Sequence, residues 1–180
     1  MTFKEYQLNA KRTVAELGSL ELNLSHMVLG IISEQEEFLK ALVDNDKVNL
    51  LEESVDAIWY ISNYCTFRGF DLEDIYNNRE DYVIEAWETE VSQYEVQISK
   101  LADYVKKFIA YKKPLDESKE INSLRILLDT ICNDIKEIGG DIYQSLQNNI
   151  DKLKVRFPDK FSEDQALNRN LEEERKELEK

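Results

Sequence analysis

Gly30-Ile31-Ile32-Ser33-Glu34-Gln35-Glu36-Glu37 and, after a short polar break at Asp44-Asn45-Asp46, Leu50-Leu51-Glu52-Glu53-Ser54-Val55-Asp56-Ala57-Ile58-Trp59-Tyr60 form the stretch that decides how this chain folds. Two carboxylate pairs are set into it, Glu34 with Glu37 and Glu53 with Asp56. Each pair is spaced i, i+3, which puts both members on one face of a helix. A break this short makes the two helices antiparallel neighbours, and the four carboxylates then converge between them. Anions gathered so closely repel one another unless a cation sits among them. Hard oxygen ligands of this kind suit Mg²⁺, with Mn²⁺ as the alternative.

The helical wheel gives the same arrangement. At about 100° per residue, the first helix carries an apolar stripe through Met27, Ile31, Phe38 and Leu42. Glu34 and Glu37 lie on one rim of that stripe, and Glu36 points away. The second helix has a stripe through Leu51, Val55, Ile58 and Cys65. Glu53, Asp56 and Tyr60 share the opposite face with Asn49, Asn63 and Phe67, and Glu52 is expected to turn away from them. A helix that is apolar on most sides but keeps a narrow acidic seam is buried, with the seam facing a cavity.

Working outward, the 180 residues contain only five Gly and two Pro, and 42% are hydrophobic with helical periodicity throughout. That predicts one all-α domain spanning 1–180, large enough for a real core. The net charge of −14 disfavours nonspecific binding to nucleic acid or to an anionic membrane. A phosphorylated substrate must then be received by metal ions or by a few placed cations. Cys65 and Cys132 sit within apolar helical patterns and read as reduced core thiols. With no signal peptide and no membrane-spanning run, a cytoplasmic location is expected. His26 is the only histidine, so no histidine triad and no ExxH di-iron site can be assembled. It is expected in the core or at a helix start.

Helices are predicted over about 2–17, 22–43, 48–68, Leu72 to Trp87, 90–111, 119–138 and Asp141 to about Arg156. Gly69 is read as the C-terminal cap of the third and Asp71 as the N-cap of the fourth. The highly charged tail from Glu163 to Lys180 is expected to be a solvated helix or an arm over a partner subunit, with no chemistry of its own.

The segment resembles the MazG-like, all-α NTP pyrophosphatase superfamily, which includes the dimeric all-α dUTPases. That family carries ExxE on one helix, a short loop, and ExxD on the next. Here these are Glu34-Gln-Glu-Glu37 and Glu53-Ser-Val-Asp56, with Gly30 ahead and Trp59-Tyr60 behind. Glu5-Tyr6-Gln7 with Lys11-Arg12-Thr13 resembles the opening of phage and bacterial members. Asn149-Ile150-Asp151-Lys152-Leu153, Arg156-Phe157-Pro158-Asp159-Lys160-Phe161 and Ala166-Leu167-Asn168-Arg169 resemble their end. The resemblance implies a helical bundle of the all-α NTP pyrophosphatase type. It implies a Mg²⁺-dependent nucleoside triphosphate pyrophosphohydrolase, releasing the monophosphate and pyrophosphate for nucleotide-pool control or house-cleaning. Glu34, Glu37, Glu53 and Asp56 would be the metal ligands, and Glu34 or Glu37 the group that orients or deprotonates the attacking water. Tyr60, Asn149, Lys152 and Arg156 would contact substrate. A homodimer or homotetramer is expected. The alternative is a noncatalytic acidic helical protein that binds a partner or mimics nucleic acid by its charge.

The middle of the chain carries a faint internal repeat. Ile32–Lys40 aligns with Ile98–Lys106, Leu50–Asp56 with Ser123–Asp129, and Gly69–Asn78 loosely with Gly140–Asn149. The four ligand positions become Lys100, Asp103, Ile126 and Asp129. This divides the domain into a metal-binding half at 1–88, a degenerate half at 89–161 and the charged tail at 162–180.

Overall fold

Asn45 adopts the left-handed conformation (φ 54°) that ends one helix, and the Asp46 side chain accepts from the backbone N–H of Val48 and Asn49 to start the next. Asparagine tolerates that conformation and aspartate is a preferred N-cap, so the chain reverses here in two residues. The computed structural model describes residues 1–179, and every regular element among them is helical. The α-helices are α1 (Phe3–Lys11), α2 (Leu20–Asp44), α3 (Lys47–Arg68), α4 (Leu72–Asn77), α5 (Gln93–Tyr111), α6 (Glu117–Glu137), α7 (Ile142–Arg156), α8 (Glu163–Leu167) and α9 (Leu171–Leu178). A 3-10 turn at Ala86–Glu90 precedes α5. No helix among the described residues is long and apolar enough to cross a membrane.

Helix α3 is the axis of the bundle. It packs on α2, α1, α6 and α7, and it is buried on nearly every side. Val55, Ile58, Ile61, Tyr64 and Cys65 are all but inaccessible, against Leu24, Met27 and Ile31 of α2 and Leu124, Leu127 and Leu128 of α6. Each such aliphatic side chain contributes roughly 1.5–3 kcal/mol by leaving water. The second hairpin, α5 with α6, lies against the first, with α2 on α5 and α3 on α6. Helix α7 closes the side of α3 that carries Asp56, and α9 lies along α7.

Several expected boundaries move. Helix α1 stops at Lys11, because the Thr13 backbone N–H and hydroxyl both turn back to the Ala10 carbonyl and the Arg12 carbonyl accepts from Phe161 N–H. Gly69 (φ 74°) and Asp71 cap as expected, but α4 ends at Asn77 instead of running to Trp87. Beyond it the chain is extended along α6. Asn122 exchanges two hydrogen bonds with the backbone of Val83 at 2.8 and 2.9 Å, and Arg125 donates to the Asp81 carbonyl at 2.8 Å. On α2 the buried face runs through Leu24, Met27, Ile31, Glu34 and Ala41, and Leu42, expected in the apolar stripe, is exposed. Cys65 is buried and Cys132 half-buried, both as free thiols.

Candidate metal centre

Gly30 and Tyr60 set the spacing of the site. A methyl group on Gly30 would lie 2.1 Å from the Tyr60 ring, so only glycine lets that ring pack flat on α2 one turn before Glu34. Beside it, oxygens of Glu34, Glu37 and Glu53 all lie within 4.8 Å of one another, brought together from α2 and α3. Glu34 and Glu53 are buried and Glu37 is exposed. Burial, then the nearby charge of Asp56, pushes the Glu34 carboxyl up to about 9. The same two causes raise Glu53 to about 7. Protons here do what a divalent cation would do, which is to offset clustered negative charge. The all-oxygen donor set and its spacing fit Mg²⁺ or Mn²⁺.

Asp56, expected as the fourth member, lies outside this group. One of its oxygens accepts from Asn149 Nδ2 and the other from Lys152 Nζ at 2.6 Å. Asn149 Oδ1 in turn accepts from the Tyr6 hydroxyl at 2.8 Å. This corrects the expectation that Asn149 and Lys152 contact substrate. Both are buried behind Asp56, and neither lines the cavity described below. Burial alone would lower the Lys152 pKa, but Asp56 and Glu52 outweigh it and the ammonium is held charged. Glu52 is likewise not turned away. It accepts from Lys152 at 3.1 Å and lines the cavity, while Glu36 is exposed as expected.

The carboxylates open into a cavity of about 360 Å³. Tyr60 lines it, with Trp59 at 90° to its ring and His26 edge-on at 5.8 Å. Burial lowers the His26 pKa, and its Nδ1 is buried with no hydrogen-bond partner among the described residues. Trp59 Nε1 donates to the Thr13 hydroxyl at 2.9 Å, which fixes the extended chain after α1 across the mouth. Arg156 lines the cavity as expected, and Arg169 joins it from the tail. Both guanidiniums bind the buried carboxylate of Glu174 on α9. The tail, expected to be a solvated helix or an arm over a partner, thus contributes Arg169 to the cavity lining. Arg169 ends the quoted Ala166–Arg169 motif, and that was its signal in the sequence. Nothing in the sequence marked Glu174 among the neighbouring Glu172 and Glu173.

At the matching positions of the second hairpin, Lys100 pairs with the buried Glu88 at 2.6 Å, and Ile126 is in the core. Asp103 pairs with Lys106 and Lys107 on its own helix, and Asp129 with Arg79 at 3.6 Å. No family model, curated protein or solved structure matches this chain.

Proposed function

We propose that the chain is a Mg²⁺-dependent nucleoside triphosphate pyrophosphohydrolase of the MazG-like kind, with Mn²⁺ able to replace Mg²⁺. The observation that carries this reading is the convergence of Glu34, Glu37 and Glu53 at the edge of a cavity that also has two arginines and an aromatic wall. An acidic cluster alone suits many cations. Cations and aromatic rings in the same cavity suit a ligand with a phosphate chain and a flat base. Glu34, Glu37 and Glu53 would hold the metal, and Asp56 would sit beside them, fixed by Asn149 and Lys152. Bound metal supplies charge neutralisation at the phosphate oxygens. The chain's own groups do the rest. Exposed Glu37, or Glu34 once its own proton has left, would accept a proton from the water that attacks the α-phosphorus, as the bond to the pyrophosphate oxygen breaks. Arg156 donates to the departing phosphates, and the wall of Trp59, Tyr60 and His26 receives the base. The assembled protein is a homodimer or homotetramer in this reading.

The test is pyrophosphate release from a panel of the canonical dNTPs and dUTP, with and without Mg²⁺. Metal-dependent release that Glu37→Gln removes is the expected result. A folded protein that releases none from the whole panel would favour the noncatalytic alternative, an acidic binding protein.

A further inference from the structure

Arg156 ends α7 and Arg169 lies between α8 and α9, yet both reach one carboxylate. Glu174 accepts from Arg156 Nε at 3.1 Å and Nη2 on its other oxygen, and from Arg169 Nη2 at 2.8 Å. Its side chain is 3% exposed, so the whole carboxylate is committed to the two guanidiniums. Each guanidinium has five N–H donors. Glu174 takes two from Arg156 and one from Arg169, and both residues still line the cavity. Two like charges on long flexible stems would otherwise separate. Arg169 already lies in the field of Asp56 and Glu52.

We propose that Glu174 is a positioning residue. Its carboxylate clasps Arg156 and Arg169 side by side as a double-guanidinium receptor for a phosphate chain. A guanidinium fork suits phosphate as it suits carboxylate, so the clasp sets the donors in a geometry that a second anion can share from the cavity side. A separate contact anchors α9. Arg175 donates to Asp46 at 3.2 Å and to Asn49 at 2.8 Å, at the turn that joins α2 to α3. Docking of the tail and clasping of the arginines are thus carried by adjacent residues and can be separated.

The substrate in this proposal rests on the pyrophosphohydrolase reading, whereas the binding measurement does not. Inorganic pyrophosphate, with Mg²⁺, is titrated calorimetrically into the full-length protein and its Glu174→Gln, Arg169→Ala and Arg175→Ala variants. Glu174→Gln and Arg169→Ala should each weaken binding on the order of tenfold, the worth of a charge-assisted hydrogen bond. Arg175→Ala should stay within about twofold of wild type, since it leaves the clasp intact. In turnover, Glu174→Gln should raise KM by a similar factor with kcat little changed, as expected for lost ground-state binding. Unchanged pyrophosphate binding in Glu174→Gln overturns the proposal, and so does equal weakening in Arg175→Ala, which would mean tail docking alone. A wild-type protein that does not bind pyrophosphate overturns it as well. Clasp-dependent binding without release from any triphosphate supports the proposal and removes the pyrophosphohydrolase reading. Release with an unchanged KM in Glu174→Gln does the reverse.

Discussion

Asp56 and Lys152 show why residue spacing locates a charge cluster more surely than it assigns roles within one. The i, i+3 pairs place Glu34, Glu37, Glu53 and Asp56 together, but the wheel has no information about α7, whose Lys152 claims Asp56 and Glu52. Lys152 is fully buried, so Lys152→Met should cost roughly 3 kcal/mol in chemical denaturation, because it strands two carboxylates behind the site. A merely lost phosphate contact would leave stability untouched. On the same grounds Glu36→Gln should match wild type in activity and stability, while Glu52→Gln should not. The cluster also fixes a pH dependence. The Glu34 carboxyl moves from an ordinary value of 4.5 to about 9 on folding, and Glu53 from 4.5 to about 7. A raised folded value means that the native state holds the extra protons. This contribution is therefore full below the unfolded value and is lost as pH rises through the folded ones. Metal-free protein should lose melting temperature from pH 4.5 toward about 9, and saturating Mg²⁺ should restore on the order of 5 °C at the alkaline end but little at the acid end. A scanning calorimetry series in which Mg²⁺ acts equally at both ends would contradict the cluster as a metal site.

Among the elements, those bounded by local chemistry were legible and those bounded by distant partners were not. The polar break at Asn45-Asp46 and the Gly69 cap are readable in place, whereas α2 starts behind Ser19 at Leu20, two residues ahead of the expected 22. Helix α4 stops early because side chains of α6, Asn122 and Arg125, bind the backbone at Val83 and Asp81. Those partners lie far along the chain, so periodicity could not foresee them. The tail escaped for a related reason. Its charge reads as solvated until Glu174 is found under two arginines. Gly30 is the opposite case, a residue legible only as part of a motif until the contact with Tyr60 explains it. Gly30→Ala should push the Tyr60 ring out of its place between His26 and Trp59, at about 1–3 kcal/mol of overpacking. The α2 to α3 spacing at Glu34 would open with it. The expected outcome is a lower midpoint in guanidinium chloride together with weaker Mg²⁺ binding by calorimetry. A variant with a wild-type midpoint and wild-type Mg²⁺ affinity would show that the ring does not set the carboxylates.

At the scale of the whole molecule, the two hairpins pack against each other and divide the charges unequally. With α2 on α5 and α3 on α6, the matched elements of the aligned segments do meet across the bundle. Tyr76 and Tyr143, one from each loosely aligned segment, bring their hydroxyl oxygens within 3.4 Å. The segment between α4 and α5 supplies partners at two of the aligned positions of the second hairpin, whose Lys100 and Asp103 also line a surface pocket. Arg79 neutralises Asp129, and Glu88 is drawn into contact with Lys100 and Gln97. A position that must meet a covering chain keeps no need for a carboxylate, so Ile126 joins the core where Glu53 stays acidic. The Lys100 ammonium repels a divalent cation, an isoleucine cannot coordinate one, and Asp103 is taken up by Lys106 and Lys107. On the proposed reading, the metal-binding centre lies in the first hairpin, among Glu34, Glu37 and Glu53. Calorimetric titration of Mn²⁺ should therefore lose its heat in Glu34→Gln and Glu53→Gln but keep it in Asp103→Asn and Asp129→Asn. Asp129→Asn should instead cost up to about 1 kcal/mol in stability, through the lost partner of Arg79 at a part-exposed site. Mn²⁺ heat that survives Glu34→Gln and disappears in Asp103→Asn would place the centre in the wrong hairpin and undo the division of labour argued for the fold.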